Sequence, residues 1–272
     1  MISAAMSLYR LALSKRALSG GILFAMLLSL QGCVTTTDSP FERDASPVEA
    51  KKDYVQLAMG YIQQNNLERA RKHADRALQI DPEYAPAKAA QGLIFQQEGE
   101  AKLAEQAFRQ ALNFDPSYTR GRVFYGAQLY SQGRFSEAVD QFSKASEDVD
   151  YPERGSVFYN LGRAQVSMGD YQAAVASFRR ANELKRGDAR TLLALSETLF
   201  LTGNFEGSSY YFTQLEDMIR RNASLAHSPA SLLLGARLAA QLGDYDRESS
   251  YALMLRNTYP KSPEYKQYEA MK

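Results

Sequence analysis

From Ala85 to Pro116 the chain sets small, aromatic and helix-breaking residues at fixed intervals, and those intervals recur. Numbered as a 34-residue unit from Ala85, Gly92 stands at place 8, Phe95 at 11, Gly99 at 15, Ala104 at 20, Phe108 at 24, Ala111 at 27 and Pro116 at 32. Each residue type suits its place in a helix–turn–helix. Gly92 and Ala104 let two helices approach closely, and Gly99 permits a tight turn between them. Phe95 and Phe108 supply bulk for the contacts. Pro116 cannot continue the second helix, and it biases Asp115 away from helical angles.

The unit is not isolated. Ala70, Ala77 and Pro82 precede Ala104, Ala111 and Pro116 by 34 residues. The turn glycine returns as Gly133, Gly169, Gly203 and Gly243, the small place as Ala138, Ala174 and Ser208, and the aromatic place as Phe142, Phe178 and Phe212. Units therefore begin near 51, 85, 119, 155, 189 and 229, in steps of 34, 34, 36, 34 and 40. A fixed period held over six units is the mark of a solenoid. In its places and period the unit resembles the tetratricopeptide repeat (TPR). The expected fold is all-α: a right-handed superhelix of six TPR helix-turn-helix repeats with a short C-terminal capping helix. Ser262-Pro263-Glu264 carries the signal for that last helix, with Ser as cap, Pro first and Glu in the first turn. Asn65-Asn66 replaces the turn glycine of repeat 1, and Asn tolerates left-handed angles. Pro152 is expected to open the first helix of repeat 4. Gly126 is expected to lie where the helices of repeat 3 touch, and Gln128, two residues on, to tolerate replacement.

Before the repeats, Arg10, Lys15 and Arg16 precede an apolar run from Ala17 to Leu30, short for a membrane span and suited to a secretory signal. The run ends in Leu30-Gln31-Gly32-Cys33. A small residue before a lone cysteine at this point resembles the lipobox of bacterial lipoproteins, although Gln31 departs from the usual Ala, Ser or Thr. That resemblance implies cleavage after Gly32, lipidation of Cys33 and stable anchoring by several acyl chains. Val34 rather than Asp in the next position points to the outer membrane. The alternative is an ordinary signal with an incidental cysteine. The resulting division is 1–32 signal peptide, 33–49 flexible tether, and 50–272 TPR domain.

Three of the 32 basic residues and none of the 31 acidic ones lie before Cys33, which leaves the rest at 29 against 31. That balance favours neither nucleic acid nor an anionic membrane surface. Cys33 is the only cysteine, so no intramolecular disulfide can form. His73 and His227 lack a second ligand at metal spacing, and His73 reads as a surface residue. No phosphate loop, nucleophile elbow or Cys–His pair occurs, so no enzyme, cofactor or small-molecule substrate is expected. The remaining class is a protein-binding scaffold. In a TPR superhelix the first helices build the concave wall, with places 2, 5, 9, 12 and 13 facing the groove. Those places hold Val55, Met59 and Ile62 in repeat 1, Leu93 and Gln96 in repeat 2, Tyr130 in repeat 3, and Tyr159 and Arg163 in repeat 4. Glu197, Phe200 and Arg237 follow in repeats 5 and 6. Val55, Met59 and Ile62 form one apolar stripe, which is either a groove for a partner's apolar segment or core.

Two strings depart from generic repeat text: Tyr151-Pro152-Glu153-Arg154 followed by Val157 to Gly162, and Ser231 to Gly235 with Arg237-Leu238-Ala239. Together with the lipobox, the tether and the Tyr259-Pro260 ending, they resemble the PilF/PilW family of type IV pilus biogenesis and stability lipoproteins. The resemblance spans essentially the whole chain after Cys33, departing in the long amino-terminal lead and in the 217–229 extension. It implies a pilotin: an outer-membrane lipoprotein, facing the periplasm, that helps the type IV pilus secretin assemble. The competing expectation is a general periplasmic TPR scaffold.

Overall fold

The structure, a computed structural model, describes residues 46–271, and over them the chain is entirely helical. Thirteen helices follow one another: α1 (Pro47–Gln63), α2 (Leu67–Ile80), α3 (Ala85–Gln97), α4 (Ala101–Phe114), α5 (Thr119–Ser131), α6 (Phe135–Ser146), α7 (Arg154–Ser167), α8 (Tyr171–Leu184), α9 (Ala189–Leu201), α10 (Phe205–Arg221), α11 (Pro229–Gln241), α12 (Tyr245–Thr258) and α13 (Pro263–Ala270). The first twelve pair into six repeats in the expected register.

One hydrogen bond recurs in all six turns. The residue after the turn glycine donates its N–H to a carbonyl five positions back, as in Glu100 to Phe95 at 2.9 Å and Arg134 to Leu129 at 3.0 Å. The turn residue itself needs a left-handed backbone, and five glycines supply it, such as Gly99 at φ 81°. Repeat 1 makes the same bond, Asn66 to Tyr61 at 2.9 Å, with Asn65 at φ 56°. Asn65 is the single non-glycine residue with positive φ among those described.

Within repeats 2, 3 and 4 a phenylalanine of the second helix packs directly against a glycine of the first. A Cβ on Gly92, Gly126 or Gly162 would sit 2.6, 2.8 or 2.7 Å from the ring of Phe108, Phe142 or Phe178. All three rings are buried. Repeat 5 has Ser196 at the glycine's place and Ser208 opposite. Each hydroxyl donates to the other's backbone carbonyl at 2.7 Å, so both buried groups are satisfied.

First helices approach the first helix of the next repeat, and second helices approach the next first helix. Successive second helices do not approach one another. Long polar side chains join them at three outer positions instead. Arg71 of α2 donates to Glu98, in the turn before α4, at 2.6 Å. Glu105 of α4 accepts from Arg134, just before α6, at 2.7 Å and from Tyr125 at 3.0 Å. Glu216 of α10 accepts from Arg247 of α12 at 2.9 Å and also from Tyr251. Between α8 and α10 no such pair forms among the described residues, and a gap of about 430 Å³ opens beside Asn182, Gln214 and Asp217. The capping helix α13 rests on both helices of repeat 6. It buries Tyr268, whose hydroxyl donates to Glu248 at 2.9 Å.

Four expectations need correction. Helix α1 begins at Pro47, so 47–49 are helical and not tether; Ser46 caps the helix by accepting from the Glu49 N–H at 3.2 Å. Pro152 stands in the turn before α7, which starts at Arg154. Gln128 is buried, and its amide donates to the Ala101 carbonyl at 2.8 Å across the repeat junction. His73 is half-buried and stacks on Tyr61 at 5.4 Å; burial first, then the charges of Arg76 and Lys72, lower its pKa.

Candidate functional site: the concave groove

Because only first helices meet their counterparts in the next repeat, α1, α3, α5, α7, α9 and α11 form one inner wall. The residue six positions before each turn residue lies at the same level on every one of them. These residues are Met59, Leu93, Ala127, Arg163, Glu197 and Arg237, and none is buried.

Repeats 3 and 4 bring three expected residues together. The Arg163 guanidinium lies over the Tyr130 ring, 4.7 Å from its centre, and 6.0 Å from that of Tyr159. An Arg163 N–H donates to the Tyr130 hydroxyl at 3.3 Å, and the same hydroxyl is 3.2 Å from Ser167 Oγ. The Arg190 guanidinium covers Tyr159 at 5.4 Å. The cleft here, about 220 Å³, is bounded by Tyr130, Tyr159, Arg163 and Glu197. A second cleft of about 280 Å³ shares Glu197 and continues past Phe200 and Arg237 to Glu264 of the capping helix. There the Arg237 guanidinium covers Phe200 at 4.4 Å, repeating the arrangement of Arg163 on Tyr130.

Glu197 sits between the clefts. Burial pushes its carboxyl above the usual carboxylate range; the Arg237 charge opposes that rise and Glu264 adds to it. Glu197 makes no hydrogen bond or ion pair among the described residues.

At the other end of the wall the outcome is mixed. Ile62 is 5 % exposed and packs with Ala58, Ala70, Ala74, Ala90 and Ile94, so it is core and cannot receive a partner. Met59 and Leu93 are half-buried against the same cluster, and Val55 and Gln96 are half-buried as well. Of the expected stripe, Ile62 is core and only Val55 and Met59 remain partly exposed. Ser167 and Arg190 stand at places 13 and 2 of repeats 4 and 5, so the register that faces the groove covers them although they are not among the named candidates; Glu264 lies outside that register. Glu264 comes from a helix outside the repeat pattern, and only the fold reveals that it reaches the groove. Cys33 and residues 1–45 lie outside the described residues. Among those described, no helix is long and apolar enough to cross a membrane.

Models of the tetratricopeptide repeat match residues 52–84, 85–118, 126–189 and 159–216. The type IV pilus assembly protein PilF of Pseudomonas aeruginosa is 36% identical over 252 residues, spanning 92% of this chain and 98% of that protein. The solved structure of Pseudomonas aeruginosa PilF superimposes with a TM-score of 0.73 at 36% identity, over 83% of this chain and 99% of that one. PilW, a widely conserved type IV pilus biogenesis factor, superimposes with a TM-score of 0.67 at 26% identity, over 80% and 97%. MamA of Desulfovibrio magneticus shares the fold alone, at 14% identity and a TM-score of 0.54 over 64% and 97%. With a full-length relative at this identity and six repeats in one register, the chain belongs to the PilF/PilW family of tetratricopeptide-repeat type IV pilus biogenesis proteins.

Proposed function

We propose that this chain is a pilotin: an outer-membrane lipoprotein, anchored through Cys33 and facing the periplasm, that helps the type IV pilus secretin assemble into its multimer. It acts by protein–protein binding through the concave groove and performs no chemistry. The observation that carries the reading is the match to a pilus assembly protein over 98% of that protein's length. The groove supplies a physical means. Its wall offers half-buried apolar contacts at Val55, Met59 and Leu93, an amide at Gln96, and ring-supported charge at Tyr130, Tyr159 and Arg163. Such a wall suits an extended or helical segment of another protein.

Deletion of the gene tests the proposal, read by the secretin multimer that survives on a denaturing gel. Loss of multimer with normal bulk porins is the expected result. Loss of porins as well would indicate a general scaffold for outer-membrane protein assembly, and an unchanged multimer would refute the role.

A further inference from the structure

The six groove-floor positions divide into two halves. Met59, Leu93 and Ala127 are uncharged, whereas Arg163, Glu197 and Arg237 alternate plus, minus, plus on three consecutive first helices. Charged residues on a scaffold usually neutralise each other in pairs. These three do not: Arg163, Glu197 and Arg237 form no ion pair within 4.0 Å with any described residue. The two arginines instead lie over the aromatic residue near the end of the preceding first helix, Tyr130 and Phe200, at 4.7 and 4.4 Å from the ring centres. Arg163 spends one N–H on the Tyr130 hydroxyl and keeps the others for a carboxylate, and a guanidinium held over a ring has already lost much of its rotamer freedom. Glu197 is partly desolvated between the two clefts, so it favours any arriving cation or N–H donor.

We propose that the groove over repeats 4 to 6 recognises a protein segment presenting acidic, basic and acidic side chains in that order, opposite Arg163, Glu197 and Arg237. The inference rests on the groove being a protein-binding surface and names the chemistry it selects. Packed helices lie about 10 Å apart and an extended chain rises about 3.3 Å per residue, so the three charges fall about three residues apart in an extended segment. The pattern reads the same in both chain directions, so the preference holds whichever way the segment runs. Beyond the basic–acidic–basic floor, the groove continues over Ala127 to Leu93 and Met59, which leaves room for an apolar continuation on the side of repeat 1.

The test uses the full chain purified in detergent and three labelled synthetic peptides of one composition, titrated by fluorescence anisotropy at low ionic strength. The first carries Glu, Lys and Glu at every third position. The other two carry the same residues as Glu-Glu-Lys and Lys-Glu-Glu, so net charge is constant. The alternating peptide is expected to bind about tenfold tighter than either permutation, as a few exposed charge pairs of up to about 1 kcal/mol each allow. Arg163→Glu should erase that preference, and a Lys-Lys-Glu peptide should recover it on the variant. Arg163 is exposed, and an unchanged circular-dichroism melt would establish that the variant folds. Equal affinity for the three orders, no saturable binding by any of them, or failure of the charge swap on a folded variant would overturn the proposal. If the peptides fail while gene deletion still depletes the secretin multimer, the charge order is wrong and the pilotin role stands. If the peptides discriminate and the multimer is unaffected, the charge order stands and the pilotin role falls.

Discussion

Replacing Gly126 with alanine sets two effects of known sign against each other. Alanine is favoured over glycine in a helix interior by about 1 kcal/mol. Its Cβ, however, would stand 2.8 Å from Phe142 Cε1 and 3.0 Å from Cδ1 and Cζ. Carbon atoms rest at about 3.5–4.0 Å, so the ring or the helix must retreat by somewhat less than 1 Å. Phe142 is 2 % exposed and closely packed, so the ring has little room to retreat. Overpacking of this kind costs roughly 1–3 kcal/mol. The clash therefore offsets the gain and exceeds it by up to about 2 kcal/mol, which lowers the melting temperature by up to several degrees for a chain of this size. Gly60 provides the control: it also lies within a first helix, but nothing stands within 4 Å of its Cβ position. Gly60→Ala should raise stability by up to about 1 kcal/mol. Both variants are read by thermal circular dichroism of the full chain. Adding Phe142→Leu to Gly126→Ala should cost less than the sum of the two single changes, because the second relieves the first. A Gly126→Ala chain that melts above the wild type would refute the assigned helix contact.

Other substitutions test the remaining contacts. Gln128→Ala should lower stability by about 1–2 kcal/mol in urea unfolding, since it removes the buried side-chain hydrogen bond to the Ala101 carbonyl and leaves a cavity at the repeat junction. Ile62→Glu should unfold repeat 1 by placing a carboxylate in the core, whereas Met59→Glu should fold and weaken partner binding; co-purification of the secretin with each folded variant separates the two. For Glu197 the folded-state pKa lies above the ordinary 4.5, so the native state holds the proton more tightly than the unfolded chain. Stability is then lost as pH rises from about 4.5 through the raised value, and Glu197→Gln should melt higher than the wild type at pH 7 and alike below that window. Cys33→Ser should leave the repeats folded and release the chain from the membrane fraction; a variant that still sediments with outer membrane in a strain lacking the secretin would refute the lipid anchor.

The repeat architecture was legible because it rests on backbone demands that few residues meet. A left-handed turn every 34 residues calls for Gly or Asn, and Gly99, Gly133 and Asn65 satisfy it visibly. The site was legible only in part. An apolar stripe such as Val55, Met59 and Ile62 marks one helix face, but helix periodicity alone cannot separate a groove-facing edge from a core-facing one. Ile62 went to the core because Ile94 and Ala90 of the next repeat close over it. Gln128 misled for the reverse reason: a polar side chain was buried by a carbonyl, Ala101 O, from a distant part of the chain. The early start of α1 was readable, since Ser46-Pro47-Val48-Glu49 carries the same cap as Ser262-Pro263-Glu264.

The uneven bridging of the outer wall has a mechanical consequence. Successive repeats are held together along their inner edge and through the step from each second helix to the next first helix, which makes the body a stack of plates joined off-centre. Bending such a stack changes the width of the outer gaps at little cost in buried apolar surface, and only cross-ties resist it. Arg71 with Glu98, Glu105 with Arg134 and Glu216 with Arg247 are such ties, and each brings a charged acceptor close to its donor. Among the described residues there is none between α6 and α8 or between α8 and α10, and at the second the gap is already open. Curvature changes should therefore concentrate at the two joints on either side of repeat 4, and the one with repeat 5 sets the spacing of Arg163 and Glu197. A ligand gripping those two side chains would act on a soft point of the spring, and a cross-tie engineered between α8 and α10 would stiffen the groove without touching its lining.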